Sequence, residues 1–263
     1  MQQTPLTIQL ILDNLRPILT VGFLGFTLAM LLTPVYTTLA FKYKWWKRPR
    51  TETVTGEKAA QFSKMHAEKH QRRIPTMAGS ITLIALSVVT LLFNFDRGQT
   101  WLPLAAAVGA GFVGLLDDMI NLRSSGRGTA GLNFKIKLLL TVFIAAGLSY
   151  WFVYKLGYNS IHIPFGGDLA VAAPLLFGFF LFVIVATANA VNITDGLDGL
   201  SGGLLVTAFG AFGLIAFLQG NFGIAGFCIT LLGALLSYLW FNIFPARFFM
   251  GDVGSFAFGT SLA

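Results

Sequence analysis

The chain is 263 residues long, 55% hydrophobic and only 11% charged, where an ordinary soluble domain is roughly a quarter charged. With 29 Gly, 26 Phe and long apolar stretches broken by short polar ones, it is neither a disordered chain nor a water-soluble single domain, and it reads as a polytopic helical membrane protein. One cysteine, Cys228, excludes an intramolecular disulfide and a Cys-based zinc site, and 18 Lys+Arg against 11 Asp+Glu leave a net charge of +7.

The first fifteen residues carry Asp13 and no basic residue, so they lack the basic start of a secretory signal and are read as mature sequence. A helix needs about 20 apolar residues to cross the hydrocarbon core, and eight segments approach that length: 17–41, 77–95, 101–116, 136–156, 171–191, 200–218, 222–244 and one starting at 253. The expected architecture is an all-α bundle of about eight spans forming a single integral membrane domain over 1–263. Its last span is incomplete, because the residues after 252 supply only about 16 Å of helix. The expectation is therefore either a last element paired with something outside this sequence or an N-terminal portion of a longer chain.

Between Lys42 and Arg73 lie ten basic residues, the kind of segment that marks the cytoplasmic face and its anionic lipids. If 42–75 is cytoplasmic, parity places 117–135, 192–199 and 245–252 on the same side, and 96–100, 157–170 and 219–221 on the other. That assignment puts 15 basic residues inside and three (Arg16, Arg97, Lys155) outside, which satisfies the positive-inside rule. Trp45, Trp46, Trp101, Tyr150, Trp151 and Tyr154 fall at span ends, where interfacial aromatics and core packing are both adequate explanations. The outer stretch from Ser160 to Gly167 alternates and ends in a Gly pair, which fits a short hairpin.

An Asp at the centre of a membrane helix costs about 2.5–3.5 kcal/mol on insertion scales, so acids beside spans need a reason. Five of them, Asp117, Asp118, Asp195, Asp198 and Asp252, reach the cytoplasmic boundary by the parity above. Asp117 and Asp118 end the third span, where the helix dipole disfavours a carboxylate pair unless a cation neutralises it. Asp195 and Asp198 share a face of any helical turn begun at Thr194. Carboxylates from separate segments with no Cys or His cluster suit Mg²⁺ or Mn²⁺, and the same side offers Arg72, Arg73, Arg123, Arg127, Lys135, Lys137 and Arg247 to a diphosphate. Together these features suggest phosphoryl transfer between a soluble nucleotide compound and a lipid phosphate.

Other patterns carry less. His66 and His70 are four apart, but Ala67 stands where a zincin has its glutamate, so a solvated loop is the simpler reading, as it is for Glu52, Glu57 and Glu68. His162 lies on the opposite side and reads as structural. Gly109, Gly111 and Gly114 suit close helix packing rather than phosphate contact, since no Walker lysine follows.

The segments Pro75-Thr76-Met77-Ala78-Gly79, Gly114-Leu115-Leu116-Asp117-Asp118, Gly131-Leu132 through Lys137, Asn189 through Leu200, and Asn242 through Ser255 occur in one order along nearly the whole chain. In them the chain resembles the polyprenyl-phosphate N-acetylhexosamine-1-phosphate transferases, most specifically in Asn192-Ile193-Thr194-Asp195-Gly196-Leu197-Asp198-Gly199-Leu200. The resemblance implies a multi-pass enzyme of the bacterial inner membrane with its active site facing the cytoplasm. Such an enzyme moves phospho-MurNAc-pentapeptide from its UDP carrier to undecaprenyl phosphate, giving lipid I and UMP with Mg²⁺. By position it makes Asp117, Asp118 and Asp195 catalytic, with Asp117 orienting or deprotonating the lipid phosphate, and makes Asp252 the metal ligand. It assigns substrate contacts to Thr76, Arg72, Lys137, Asn192, Gly196, Leu197, Asp198, Asn242 and Phe249.

The partners implied are the UDP-sugar, the polyprenyl phosphate, the lipid bilayer and a second copy in a homodimer, with no nucleic acid. Direct attack and a covalent aspartyl intermediate both remain open. Arg73-Ile74 and Ala78 depart from the family pattern, and the family's loop lysine aligns near Gln71 and Arg72. Family members have about ten spans and a His-rich last loop that this sequence lacks, so an inactive fragment is one expectation. Transfer from UDP-GlcNAc is the alternative chemistry, and a transporter is the alternative class.

Overall fold

The computed structural model describes residues 8–46, 74–123, 131–163 and 166–263. Among them the chain forms eight α-helices: α1 (Ile8–Lys42), α2 (Gly79–Phe93), α3 (Trp101–Arg123), α4 (Phe134–Tyr150), α5 (Ala173–Thr194), α6 (Leu200–Leu218), α7 (Phe222–Asn242) and α8 (Gly251–Leu262). A π-helical turn, Trp151–Lys155, continues α4, and the outer connection pairs β1 (Ser160–Ile163) with β2 (Gly167–Ala170) as the expected antiparallel hairpin, His162 opposite Asp168. All eight expected spans are helical. Six of them, α1, α3, α4 with its π turn, α5, α6 and α7, are long and apolar enough to cross a membrane. The 15 residues of α2 and 12 of α8 fall short of that length.

Several boundaries differ from expectation, each for a local reason. The third helix does not end at residue 116 but runs to Arg123, because Met119, Ile120 and Leu122 carry the helical pattern past the two aspartates. Asn192 belongs to α5 and Asp252 to α8, not to connecting loops. Asp195 and Asp198 do not share a helical turn: α5 stops at Thr194, and α6 restarts only after Gly199, whose φ of +77° is left-handed.

The core is built around α7, which packs on α1, α6 and α2, while α8 is wedged among α3, α5 and α2. Small buried residues such as Ala29, Ala40 and Ala234 let these axes approach, and Phe209, Phe227 and Phe258 fill the space between them. Leu92, Phe143, Phe182 and Trp240 face outward, as expected for helices solvated by lipid. At the hairpin end, Gln99 Oε1 accepts from the Gly223 and Ile224 amides (2.8 and 3.3 Å), satisfying two orphan donors at the start of α7. At the opposite end, the last turns of α1, α3, α5 and α7 meet the first turns of α4 and α8. All five aspartates singled out from sequence sit there.

Candidate active site

Successive helical residues point about 100° apart, so Asp117 and Asp118 reach different neighbours although adjacent in sequence. Asp117 turns toward α4. Its Oδ2 lies 3.1 Å from Lys137 Nζ, and its Oδ1 accepts the Leu132 amide in the turn leading into that helix. Asp118 turns toward α8 and accepts the Val253 amide at 3.1 Å.

The first turn of α8 presents unsatisfied amides and the positive end of its dipole, and two carboxylates meet it. Asp118 takes the Val253 N–H, and Asp195, in the turn after α5, takes the Gly251 N–H at 3.1 Å. A hydrogen bond to a charged group contributes about 1.5–3 kcal/mol, so these two acids anchor the helix that carries Asp252. Gly251 itself has a φ of +75°, and a Cβ there would lie 2.6 Å from Asp118 Oδ2, so only glycine fits this junction.

Asp252 faces into the cluster from α8. Its Oδ2 binds the Lys137 ammonium, and its Oδ1 accepts from Asn192 Nδ2 at 3.3 Å. Asn192 Nδ2 also reaches Ser255 Oγ at 2.8 Å, one turn further along α8, and Lys137 Nζ sits 4.6 Å over the Phe256 ring. The ammonium is therefore held by two carboxylates and an aromatic face, with side-chain exposures of 17% for Lys137, 7% for Asp117 and 14% for Asp252. Two carboxylates on one ammonium leave a net negative charge in a mostly desolvated place.

The remaining residues form the frame around this cluster. Asp198 accepts the Ala246 amide at 3.1 Å. Asn242 accepts from Gly199 N at 3.0 Å and donates to Phe248 O at 2.8 Å, so it ties the 195–199 turn to the segment after α7. Phe249 N donates to Pro75 O at 2.9 Å, and Ala78 N donates to Phe249 O at 3.0 Å. Thr76 N donates to Trp45 O, and Tyr36 donates its hydroxyl to Thr76 O. Thr76 is buried, and its Oγ1 has no hydrogen-bond partner among the described residues. Gly196 and Leu197 are exposed at the rim.

The structure thus brings Asp117, Lys137, Asn192 and Asp252 into direct contact, and links Asp118 and Asp195 to them through α8. Asp198, Asn242, Phe249 and Thr76 join through the connecting segments. Arg72 lies outside the described residues, as do His66, His70 and Arg127. Of the three glycines read as packing positions, Gly111 and Gly114 meet neighbours closely and Gly109 meets nothing within 4 Å. Sequence reasoning did not single out Ser255 or Phe256. Their spacing from Asp252 was the available signal, since positions three and four along a helix share its face.

Among the described residues, no group of three or more His, Cys, Asp or Glu side chains forms a metal cage. The donors that do approach one another, Asp117 and Asp252, are hard oxygens. Two such ligands suit a cation that keeps part of its shell for water and phosphate oxygens.

A family model described as "Glycosyl transferase family 4" matches residues 100–263. The chain is 37% identical over 251 residues to a phospho-N-acetylmuramoyl-pentapeptide-transferase of Geobacillus sp. (strain WCH70), an alignment covering 91% of this chain and 71% of that protein. It is 39% identical over 216 residues to the protein of that name from Aquifex aeolicus (strain VF5), covering 74% and 59%. To the one from Listeria monocytogenes serotype 4b (strain F2365) it is 40% identical over 206 residues, covering 76% and 62%. The matched region thus spans 59 to 71% of the length of these relatives.

Proposed function

The chain belongs to glycosyl transferase family 4, and from that membership we propose that it transfers phospho-MurNAc-pentapeptide from UDP to undecaprenyl phosphate, releasing UMP and forming lipid I. The observation that carries this reading is the Lys137 ammonium held between Asp117 and Asp252, at the end of the bundle where a polar nucleotide and a membrane-borne phosphate can both arrive. In the net reaction an oxygen of the lipid phosphate forms a bond to the sugar-bearing phosphorus. The bond from that phosphorus to the oxygen of the departing UMP breaks.

Asp117 is placed to orient the attacking phosphate and to accept its proton if it arrives protonated. Lys137 supplies a positive charge to the oxygens that gain charge as the bond breaks, which is where preorganised electrostatics lowers a barrier. Asn192 fixes the carboxylate of Asp252 from the side away from Lys137. Asp118 and Asp195 keep α8 in register. Gly196, Leu197, Asp198, Asn242 and Phe249 supply the nucleoside-facing rim, with Thr76 behind it.

Magnesium is part of the proposal: Asp252 would hold it, with Asp117 at hand, and it would neutralise charge on the diphosphate. We further assign the site to the cytoplasmic face of the inner membrane, from the 15-to-3 asymmetry of basic residues, and a homodimer as the assembled form. Replacing Lys137 by Met, which keeps length and removes charge, is expected to lower UMP release about 10²-fold. The variant also leaves two desolvated carboxylates unneutralised and removes the cation that competes for them, so its half-saturating Mg²⁺ concentration should fall. Wild-type turnover in Lys137→Met, or turnover that persists after chelation of Mg²⁺, would contradict the respective part of the proposal.

A further inference from the structure

Behind the frame of the site, on the far side of residues 74–75, a groove of about 790 Å³ runs between α1 and the segment following α7. Met30, Thr33, Thr37 and Phe41 line it from α1, Phe241 lines it from α7, and Arg247 stands at its rim. The threonines along α1 do not make this wall polar. Thr33, Thr37 and Thr38 each donate back to their own helix, to Ala29 O, Thr33 O and Pro34 O at 2.8, 2.7 and 2.9 Å. No hydroxyl donor is left over along that side, so a polar ligand would gain little there and would lose its water.

Length and charge identify the occupant. From Met30 to Phe41 the groove follows α1 for about 17 Å, close to half the ~30 Å hydrocarbon thickness of a bilayer. That is the depth of one leaflet. At the end where this depth runs out, Arg247 is exposed, and its guanidinium is paired with no carboxylate among the described residues. Lys42 closes α1 at the same end. An apolar trough one leaflet deep, with Arg247 and Lys42 at its interfacial mouth, complements an amphiphile with one acyl chain along the trough and an anionic head at the mouth.

We propose that this groove holds an acyl chain of an anionic glycerophospholipid from the adjoining leaflet, its phosphate paired with Arg247. The groove shares its backbone with the site. Pro75, which lines it, accepts the Phe249 amide, and Ala246, also in its wall, donates to Asp198. A bound chain therefore buttresses the two segments that present Thr76 and Phe249.

Native mass spectrometry of the detergent-solubilised chain, titrated with dioleoylphosphatidylglycerol or dioleoylphosphatidylcholine, tests this without any turnover, so its outcome is independent of the transferase reading. The wild type is expected to retain phosphatidylglycerol about fivefold more tightly, the equivalent of ~1 kcal/mol for one basic residue at the membrane surface. Arg247→Gln, an exposed substitution, should abolish that preference, while Thr37→Trp, which fills the trough, should weaken retention of both lipids. Equal retention of the two lipids by the wild type, or an unchanged preference in Arg247→Gln, overturns the proposal. So does a Thr38→Cys variant that cross-links quantitatively to a second copy in phosphatidylglycerol bilayers, since Cys228 is buried and the covering element would then be protein.

Discussion

Asp252→Ala is expected to reduce UMP release by about 10²- to 10³-fold, the range seen when one preorganised electrostatic contact to a reacting centre is removed. The expectation follows from what Asp252 touches. Its two oxygens address two different helices, Lys137 on α4 and Asn192 on α5, while its own backbone belongs to α8. Truncation removes the acid proposed to hold the metal and also frees the Lys137 ammonium to turn fully onto Asp117. Folding should survive, because Asp117 still neutralises Lys137 and the α8 amides remain bonded to Asp118 and Asp195. Asp252→Asn separates the effects: it keeps the shape and the Asn192 neighbour, and loses the charge. Steady-state kinetics on both variants, with melting temperatures as the control for folding, checks the prediction. A variant that melts like the wild type and turns over like it would remove Asp252 from the chemistry.

Gly114→Val should be nearly as damaging, by a mechanical route. A Cβ at Gly114 would lie 2.1 Å from the carbonyl oxygen of Asp252 and 2.7 Å from the Val253 nitrogen. Those atoms are backbone at the start of α8 and cannot rotate aside as a side chain would. The two helices must separate by roughly 1 Å or more, and overpacking of this kind costs about 1–3 kcal/mol. The separation moves Asp252 relative to Asp117 and Lys137, and a misplacement of about 1 Å lowers turnover on the order of 10²-fold. The variant should therefore melt earlier and lose activity at temperatures where it remains folded. Gly109→Val is the matched control, since nothing lies within 4 Å of that position, and it should behave like the wild type. Equal losses in both variants would show that the defect is general to α3 rather than transmitted through α8.

Much of the fold was legible because helices solvated by lipid must be long and apolar, and this sequence interrupts its apolar runs at the turns. The boundaries near the site were less legible, because there the polar residues that normally signal a helix end lie inside helices. Asp117 and Asp118 looked like a terminus, yet α3 continues to Arg123. Asn192 and Asp252 looked like loop residues and are helical. Convergence of the acids followed from topology and charge alone, but their division of labour did not. That Asp118 and Asp195 face the amides of α8, while Asp117 faces Lys137, depends on contacts between residues more than 50 positions apart or on opposite sides of a connection, and no local pattern encodes them.

The sequence also pointed to a cation beside the Asp117–Asp118 pair. The structure provides one from the protein itself, the ammonium of Lys137, which spacing alone could not have paired with Asp252. Gly199 stood in the sequence as one residue of the Asn192–Leu200 string. Its left-handed conformation is what splits α5 from α6 and sends Asp195 and Asp198 to separate amides, Gly251 and Ala246.

The most direct measurement is the stoichiometry of product formation by the chain in proteoliposomes containing undecaprenyl phosphate, with Mg²⁺ and UDP-MurNAc-pentapeptide supplied to the face that carries Lys44. The expected result is one UMP released per lipid-linked sugar phosphate formed, abolished by Asp252→Ala and reversed by excess UMP. Lipid-linked product from UDP-GlcNAc instead, or release of UMP without any lipid product, would contradict the assignment of Asp117, Lys137 and Asp252 to muropeptide transfer.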